Sequence, residues 1–123
     1  VTITAGYPAG VVGDTKTNLA EAAAGEREEW SNLYANFAQT AQDEGFPEIA
    51  AMFRMIAKVE IEHEKRYTKL LERLANEQEF SQEEPTQWQC MHCGYVHTGT
   101  SAPKRCPVCG KEQGYFERNP DNY

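Results

Sequence analysis

The chain has 123 residues, 40% hydrophobic and 25% charged, enough for one modest core or two small ones and too apolar for a disordered segment. No apolar run approaches the roughly 20 residues that span a bilayer, so no membrane partner is expected. The net charge of −7 is uneven: residues 1–84 carry 16 acids against 8 Lys/Arg, whereas residues 85–123 carry 3 against 4. No basic stripe is present to meet a phosphate backbone, and nucleic acid is not an expected partner.

Residues 1–13 (VTITAGYPAGVVG) mix β-branched residues with Gly6, Pro8, Gly10 and Gly13, a composition that predicts an extended linker. The chain opens at Val1 and not at methionine, which reads as a cleaved, trimmed or fragment boundary. A helix pair is predicted over 14–78. Thr15 or Thr17 is the candidate N-cap, with Asp14 placed to suit the helix dipole. The first helix, rich in Ala and Glu, runs to about Glu44, where Gly45 signals its stop. Pro47 opens the second, which continues to about Glu77. Each is roughly 28 residues and about 40 Å long. So short a connection predicts antiparallel packing. Residues 79–87, polar and containing Pro85, are expected to link this pair to a cysteine module at 88–123.

Apolar residues in the second helix recur at Ile49, Phe53, Ile56, Tyr67, Leu70 and Leu74, in alternating steps of four and three. The same stepping carried through the gap reaches Glu60 and His63, while Glu62 and Glu64 fall beside the stripe and read as solvated surface. In the first helix Leu19, Ala23, Trp30, Leu33 and Phe37 share the stepping. Its missing member is Glu26, with Glu29 one turn on. Trp30, Phe37, Phe53 and Tyr67 read as core. Tyr34 reads as core too, near enough to the acids to bond one.

Carboxylates converging in an apolar seam cannot compensate one another, but a divalent cation can. Glu with Glu-x-x-His, projecting inward from long helices, is the ligand set of di-iron and di-manganese carboxylate bundles. The i, i+3 spacing puts carboxylate and imidazole on one face. A hydrogen-bonded core histidine is the alternative for His63.

Cys90-Met91-His92-Cys93-Gly94 and Cys106-Pro107-Val108-Cys109-Gly110 are two knuckles, with twelve residues between Cys93 and Cys106. Each C-x-x-C-G turns backbone N–H groups toward its sulfurs, with glycine allowing the turn. Four clustered thiols without a secretory signal predict a reducing, cytoplasmic setting and a tetrathiolate metal, in preference to disulfides. Either zinc or iron suits that cage. Trp88, Tyr95, Tyr115 and Phe116 would shield a redox iron, and His92 and His97 read as exposed side chains.

The order G-E-x-x-E-W (Gly25, Glu26, Glu29, Trp30), E-x-x-H-E (Glu60, His63, Glu64), C-x-x-C-G-Y and C-P-x-C-G resembles the C-terminal two-thirds of the rubrerythrins. The likeness extends to the Y-P-A-G-V-V-G linker and the closing Tyr-Phe-Glu stretch. The resemblance implies a mainly α fold, a ferritin-like four-helix di-iron bundle followed by a small rubredoxin-like FeS4 domain of β structure. It implies a peroxidase of oxidative-stress defence that reduces hydrogen peroxide, fed through the FeS4 centre by an NADH-linked reductase or a rubredoxin. Glu60 would be a bridging carboxylate, and Glu26 and His63 terminal ligands. Glu29 would be the carboxylate whose iron changes ligand with redox state, and Tyr34 a supporting tyrosine; these two are the candidate catalytic residues. Cys90, Cys93, Cys106 and Cys109 would hold the FeS4 iron, with zinc as a possible substitute. The departure is that two helices cannot enclose a two-metal site. The other pair would come from a missing N-terminal half, as a separate chain or lost by cleavage, or else from a second copy in a homo-oligomer. Two further readings stand beside this one. The first is ferritin-like iron oxidation and storage; the second is a helical hairpin with a structural zinc ribbon, serving as an interaction module.

Overall fold

The computed structural model describes residues 1–7 and 9–120. Pro8, within the expected N-terminal linker, and residues 121–123, within the expected cysteine module, lie outside them. The chain divides into two compact units, Val1–Glu72 and Arg73–Tyr123. Among the described residues no helix is long and apolar enough to cross a membrane.

The described residues before Asp14 form no regular element. Asn18 ties the segment's end to the helix, accepting from Gly13 N–H at 2.8 Å and donating to its carbonyl at 3.1 Å. Helix α1 spans Thr15–Glu28. Its cap is Asp14, not the threonines: the carboxylate accepts from Thr17 N–H at 2.8 Å, and that bond holds the acid below its usual range. Aspartate wins because its backbone is extended while Thr15 and Thr17 are already helical.

The expected single helix is interrupted. Glu29–Leu33 is a π-helical turn, closed by Tyr34 N–H bonding back to the Glu29 carbonyl. Helix α2, Tyr34–Asp43, then resumes. Ser31 Oγ donates to the Arg27 carbonyl at 2.6 Å, competing for an acceptor that the α ladder uses.

Gly45 takes φ +83°. Phe46 N–H bonds the Ala41 carbonyl at 2.8 Å and Gly45 N–H that of Gln42 at 3.2 Å, the Schellman closure that a left-handed glycine permits. Helix α3 comes next, over Pro47–Ala75. Phe37 meets Phe53 near the Gly45 turn, whereas Trp30 and Arg27 reach Glu64 farther from it along both helices, so the pair is antiparallel. Its buried residues are few: Ala38, Ala41, Ala50 and Glu60. Phe37, Ile49, Leu70 and Leu74, expected in a core, are exposed, because a stripe about 100° wide needs more than one facing helix to cover it.

Helix α3 closes by the same bonding as the first hairpin, Gln78 N–H to Arg73 carbonyl at 2.7 Å and Glu77 N–H to Leu74 carbonyl at 3.3 Å. Here the left-handed position, φ +56°, is held by Glu77. A Cβ there meets the following carbonyl.

In the second unit, strands β1 (Ser81–Cys90), β2 (Val96–Ser101) and β3 (Phe116–Arg118) form an antiparallel sheet in the order β2-β1-β3. The sheet starts ahead of the expected 88: most of the anticipated linker 79–87 is strand. Pro85 is tolerated because the β1–β2 register shifts between Ser81 and Thr86, and β3 pairs β1 only at Trp88–Cys90. The core is Trp88, Cys90, Ala102, Cys106 and Phe116, with Phe80, Tyr95 and Cys109 packed on it. Trp88 is fully buried, and its indole N–H donates to the Gly99 carbonyl at 3.0 Å.

Replacing Glu77 by glycine removes the left-handed penalty without disturbing either closing bond. Glu77→Gly is therefore expected to stabilise the protein by about 0.5–1 kcal/mol and Glu77→Val to destabilise it. Denaturant titration followed by helical ellipticity measures both.

Candidate metal centres

The four cysteines are free and converge. Each knuckle closes on itself, Gly94 N–H to the Cys90 carbonyl at 2.8 Å and Gly110 N–H to the Cys106 carbonyl at 2.9 Å. Both glycines are left-handed, φ +79° and +72°, as the C-x-x-C-G pattern requires. Cys90 and Cys106, which begin the knuckles, are buried, whereas Cys93 is exposed.

Sulfurs approach across the knuckles: Cys90 Sγ to Cys109 Sγ and Cys93 Sγ to Cys106 Sγ are both 3.7 Å apart. A disulfide needs about 2.05 Å. A tetrahedron with metal–sulfur bonds of about 2.3 Å has edges of about 3.8 Å. The spacing therefore fits a four-coordinate thiophilic metal and excludes a bridge.

Backbone amides prepare the sulfurs for negative charge. Cys106 lies at about 7: burial pushes it up, and the N–H groups of Cys109 and Val108 outweigh that. Cys93 is pushed up to about 12. The Tyr95 N–H draws it down, but burial and the other three sulfurs prevail. Cys109 is raised as well; the Lys111 N–H draws it down, against burial and Cys106. Four thiolates this close require a cation to ionise together. Of the aromatics expected around them, Trp88 and Phe116 are buried and Tyr95 packs on the core. Tyr115 is exposed, meeting the exposed His92 edge-on at 6.3 Å, with Lys111 Nζ 4.8 Å above its ring.

The helical unit carries the second cluster. Glu26, Glu60 and His63 each offer a ligand atom, all within 4.8 Å of one another. His63 Nδ1 lies 2.6 Å from Glu60 Oε2 and 3.4 Å from Glu26 Oε2. Glu60 is 8% exposed, the only buried charged side chain among the described residues. Glu29 stands outside the three-residue cluster but within its field: burial raises its pKa first, then the charges of Glu26 and Glu60, against the pull of His63. Tyr34 is raised by burial and then by Glu29, Glu60 and Glu26, so its hydroxyl keeps its proton at neutral pH. Its ring packs on Phe53 at 6.1 Å and Phe37 at 6.3 Å. Carboxylate oxygens with one imidazole form a donor set for iron or manganese.

Glu64 corrects the sequence reading. It is not solvated surface: its side chain is 12% exposed, beside Arg27. Trp30 Nε1 donates to Glu64 Oε2 at 2.6 Å, and Arg27 Nε to Oε1 at 2.8 Å. These bonds hold the carboxyl below its usual range, Trp30 first. Trp30 is correspondingly half-buried and not core. The available signal was a tryptophan one turn past Glu26, whose indole N–H needs an acceptor when sheltered.

An open cleft of about 680 Å³, lined in part by Leu74, Phe80, His97, Ala102 and Lys104, contains none of the ligand candidates.

Two of the five core residues of the second unit are cysteines. Removing metal with a chelator, or Cys106→Ser, is expected to unfold that unit while the helical pair persists. Loss of the near-ultraviolet Trp88 signal with most helical ellipticity retained is the expected pattern.

A family model described as Rubrerythrin matches residues 4–90, and one described as Rubrerythrin, rubredoxin-like domain matches residues 88–117. The chain is 55% identical to a rubrerythrin of Porphyromonas gingivalis over 98% of its own length and 60% of the relative's. It is 52% identical to rubrerythrin-1 of Clostridium acetobutylicum over 97% and 60%, and 46% identical to a rubrerythrin of Clostridium perfringens over 100% and 63%. The chain thus spans about three-fifths of the length of these relatives, and it belongs to the rubrerythrin family.

Proposed function

We propose that this chain is a metal-bearing part of a peroxidase that reduces hydrogen peroxide with two electrons and two protons to two waters. The observation that carries the reading is the presence, in one chain, of a tetrathiolate cage and a separate Glu–Glu–His cluster on a helix pair. Such a pairing gives one site suited to passing single electrons and another suited to a small oxidant.

In this reading Cys90, Cys93, Cys106 and Cys109 hold one iron, and Glu26, Glu60 and His63, with Glu29 beside them, hold their share of a di-iron site. Glu60, Glu26 and His63 would be its ligands from this chain. Iron held there would supply the two electrons that peroxide reduction needs, and iron held by the four cysteines would supply single-electron chemistry. The protein's part is positional and electrostatic. The acids hold cationic charge in the seam. Tyr34, kept protonated, offers its hydroxyl as a hydrogen-bond donor, and Glu29 is the acid best suited to carry a proton toward a departing oxygen. Cys93 is exposed, which supports electron entry at that sulfur from a reductase or a rubredoxin drawing on NADH. A second helix pair, from the rest of the polypeptide or from a second copy, completes the coordination. The setting is the cytoplasm, and the role is defence against peroxide.

The visible spectrum with metal analysis comes first: ferric tetrathiolate is red, zinc tetrathiolate colourless. Reduced protein is then mixed with peroxide. Stoichiometric reoxidation is expected, with Glu60→Gln losing iron from the helical site and most turnover while the red chromophore stays. Undiminished peroxide turnover without iron at the helical site sinks the reading. Oxygen-driven iron uptake without peroxide turnover would instead indicate iron storage, and a colourless zinc protein an interaction module.

A further inference from the structure

Glu26 and Glu60 repel, Glu29 adds to that repulsion, and yet ligand atoms of Glu26, Glu60 and His63 lie within 4.8 Å of one another. Among the described residues, no apolar side chain beside the acids is fully buried. Helix α1 has no buried residue, and the buried alanines of the pair, Ala38, Ala41 and Ala50, all lie toward the Gly45 turn. The bonds that cross between the helices beside the acids are polar. Arg27 and Trp30, one turn apart, both reach the Glu64 carboxylate, Arg27 with Nε and Nη2 on Oε1 at 2.8 and 2.6 Å, Trp30 with Nε1 on Oε2 at 2.6 Å.

Each member adjoins the cluster in sequence. Arg27 is next to Glu26, Trp30 lies four residues after Glu26, and Glu64 is next to His63. We propose that the Arg27–Glu64–Trp30 clasp is a positioning device that sets the register of the two helices, so that Glu26 meets Glu60 and His63 before any cation arrives. The inference rests on the metal reading of that cluster.

An arginine–glutamate pair alone on a helix surface contributes little, because water screens it and two long side chains must be ordered. Arg27 is 69% exposed, but Glu64 is only 12% exposed, and its second oxygen is taken by a rigid indole donor. A carboxylate bonded on both oxygens from one helix face has a single comfortable position. A slip of α3 by one turn, about 5.4 Å, breaks all three bonds and withdraws Glu60 and His63 from Glu26. The clasp thus opposes the motion that carboxylate repulsion favours, and it serves Glu26, Glu60 and His63 through their neighbours, without touching a metal.

The test compares the whole chain with Glu64→Leu, which removes the clasp, and Glu64→Gln, which keeps an acceptor for Trp30. Two readouts are taken. In metal-free protein, nuclear Overhauser effects between the His63 ring and the Glu26 side chain report register, and the Ala38, Ala41 and Ala50 methyl shifts report an intact hairpin. Manganese(II) titration followed by electron paramagnetic resonance, with the cysteines already filled by zinc, reports affinity.

Glu64→Leu is expected to abolish the His63–Glu26 Overhauser effects with the alanine shifts unchanged. It is also expected to weaken manganese binding about 10-fold, the lower end of what losing a supporting partner costs a metal site. Glu64→Gln is expected to recover the Overhauser effects and most of the affinity. Overhauser effects that persist in Glu64→Leu overturn the proposal, as does their disappearance with unchanged affinity, or a loss of the alanine shifts in both variants. Wild-type protein that binds no manganese at the helices, while its Overhauser effects vanish in Glu64→Leu and return in Glu64→Gln, upholds the clasp as a register device and fails the metal reading instead.

Discussion

Fully buried hydrocarbon is scarce in both units of this protein, and in each a group of candidate metal ligands stands among it. In the sheet unit two of the five central residues are thiols. In the helical unit the largest buried side chain is a carboxylate, accompanied only by alanines. Buried sulfur and oxygen ligands cost folding free energy until their charge is matched. Bringing such groups together is therefore a problem of folding, and devices around them answer it: left-handed glycines behind each knuckle, amide donors on the sulfurs, and a carboxylate clasp beside the acids.

The two clusters solve it differently. The cysteines are held by short local loops whose amides bond sulfurs two or three residues away, so their geometry is carried within each knuckle, and only the cross-knuckle distance of 3.7 Å depends on the sheet. The acids are spread over two helices, and their approach depends on a register that no local rule imposes. The π turn at Glu29–Leu33 lies within that register. A single i→i+5 turn inserts a residue into the helix and rotates the turns after it, a device often found beside functional sites. It puts Glu29 and Tyr34 at the two edges of one turn, both within the field of Glu26 and Glu60.

Sequence periodicity located Glu26, Glu60 and His63 because a polar residue on an apolar stripe stands out against the 3.6-residue repeat. The same method misjudged Glu64 and Trp30. Angle on an ideal cylinder treats each residue alone, whereas a long indole can leave its stripe to find an acceptor on the neighbouring helix. It also overfilled the core: Phe37, Ile49, Leu70 and Leu74 are apolar at the right angles, but angle says only where hydrocarbon points and not whether anything covers it. Pro85 misled in the opposite direction. Proline in a polar run reads as linker, yet a register shift in β1 accommodates it at a sheet margin.

The amino-acid order by itself therefore determined the local chemistry: two C-x-x-C-G knuckles, Pro47 and Gly45 as helix punctuation, an E-x-x-H on one helix face. These depend on residues a few positions apart, whose relations the backbone fixes through dihedral preference and hydrogen-bond reach. The tertiary structure decided everything that needs two distant segments at once. It brought Glu26 to His63, and gave Glu64 to Trp30 and Arg27. Such choices turn on which donors, acceptors and charges end within a few ångströms across separate elements, a competition that no periodicity within one element can express.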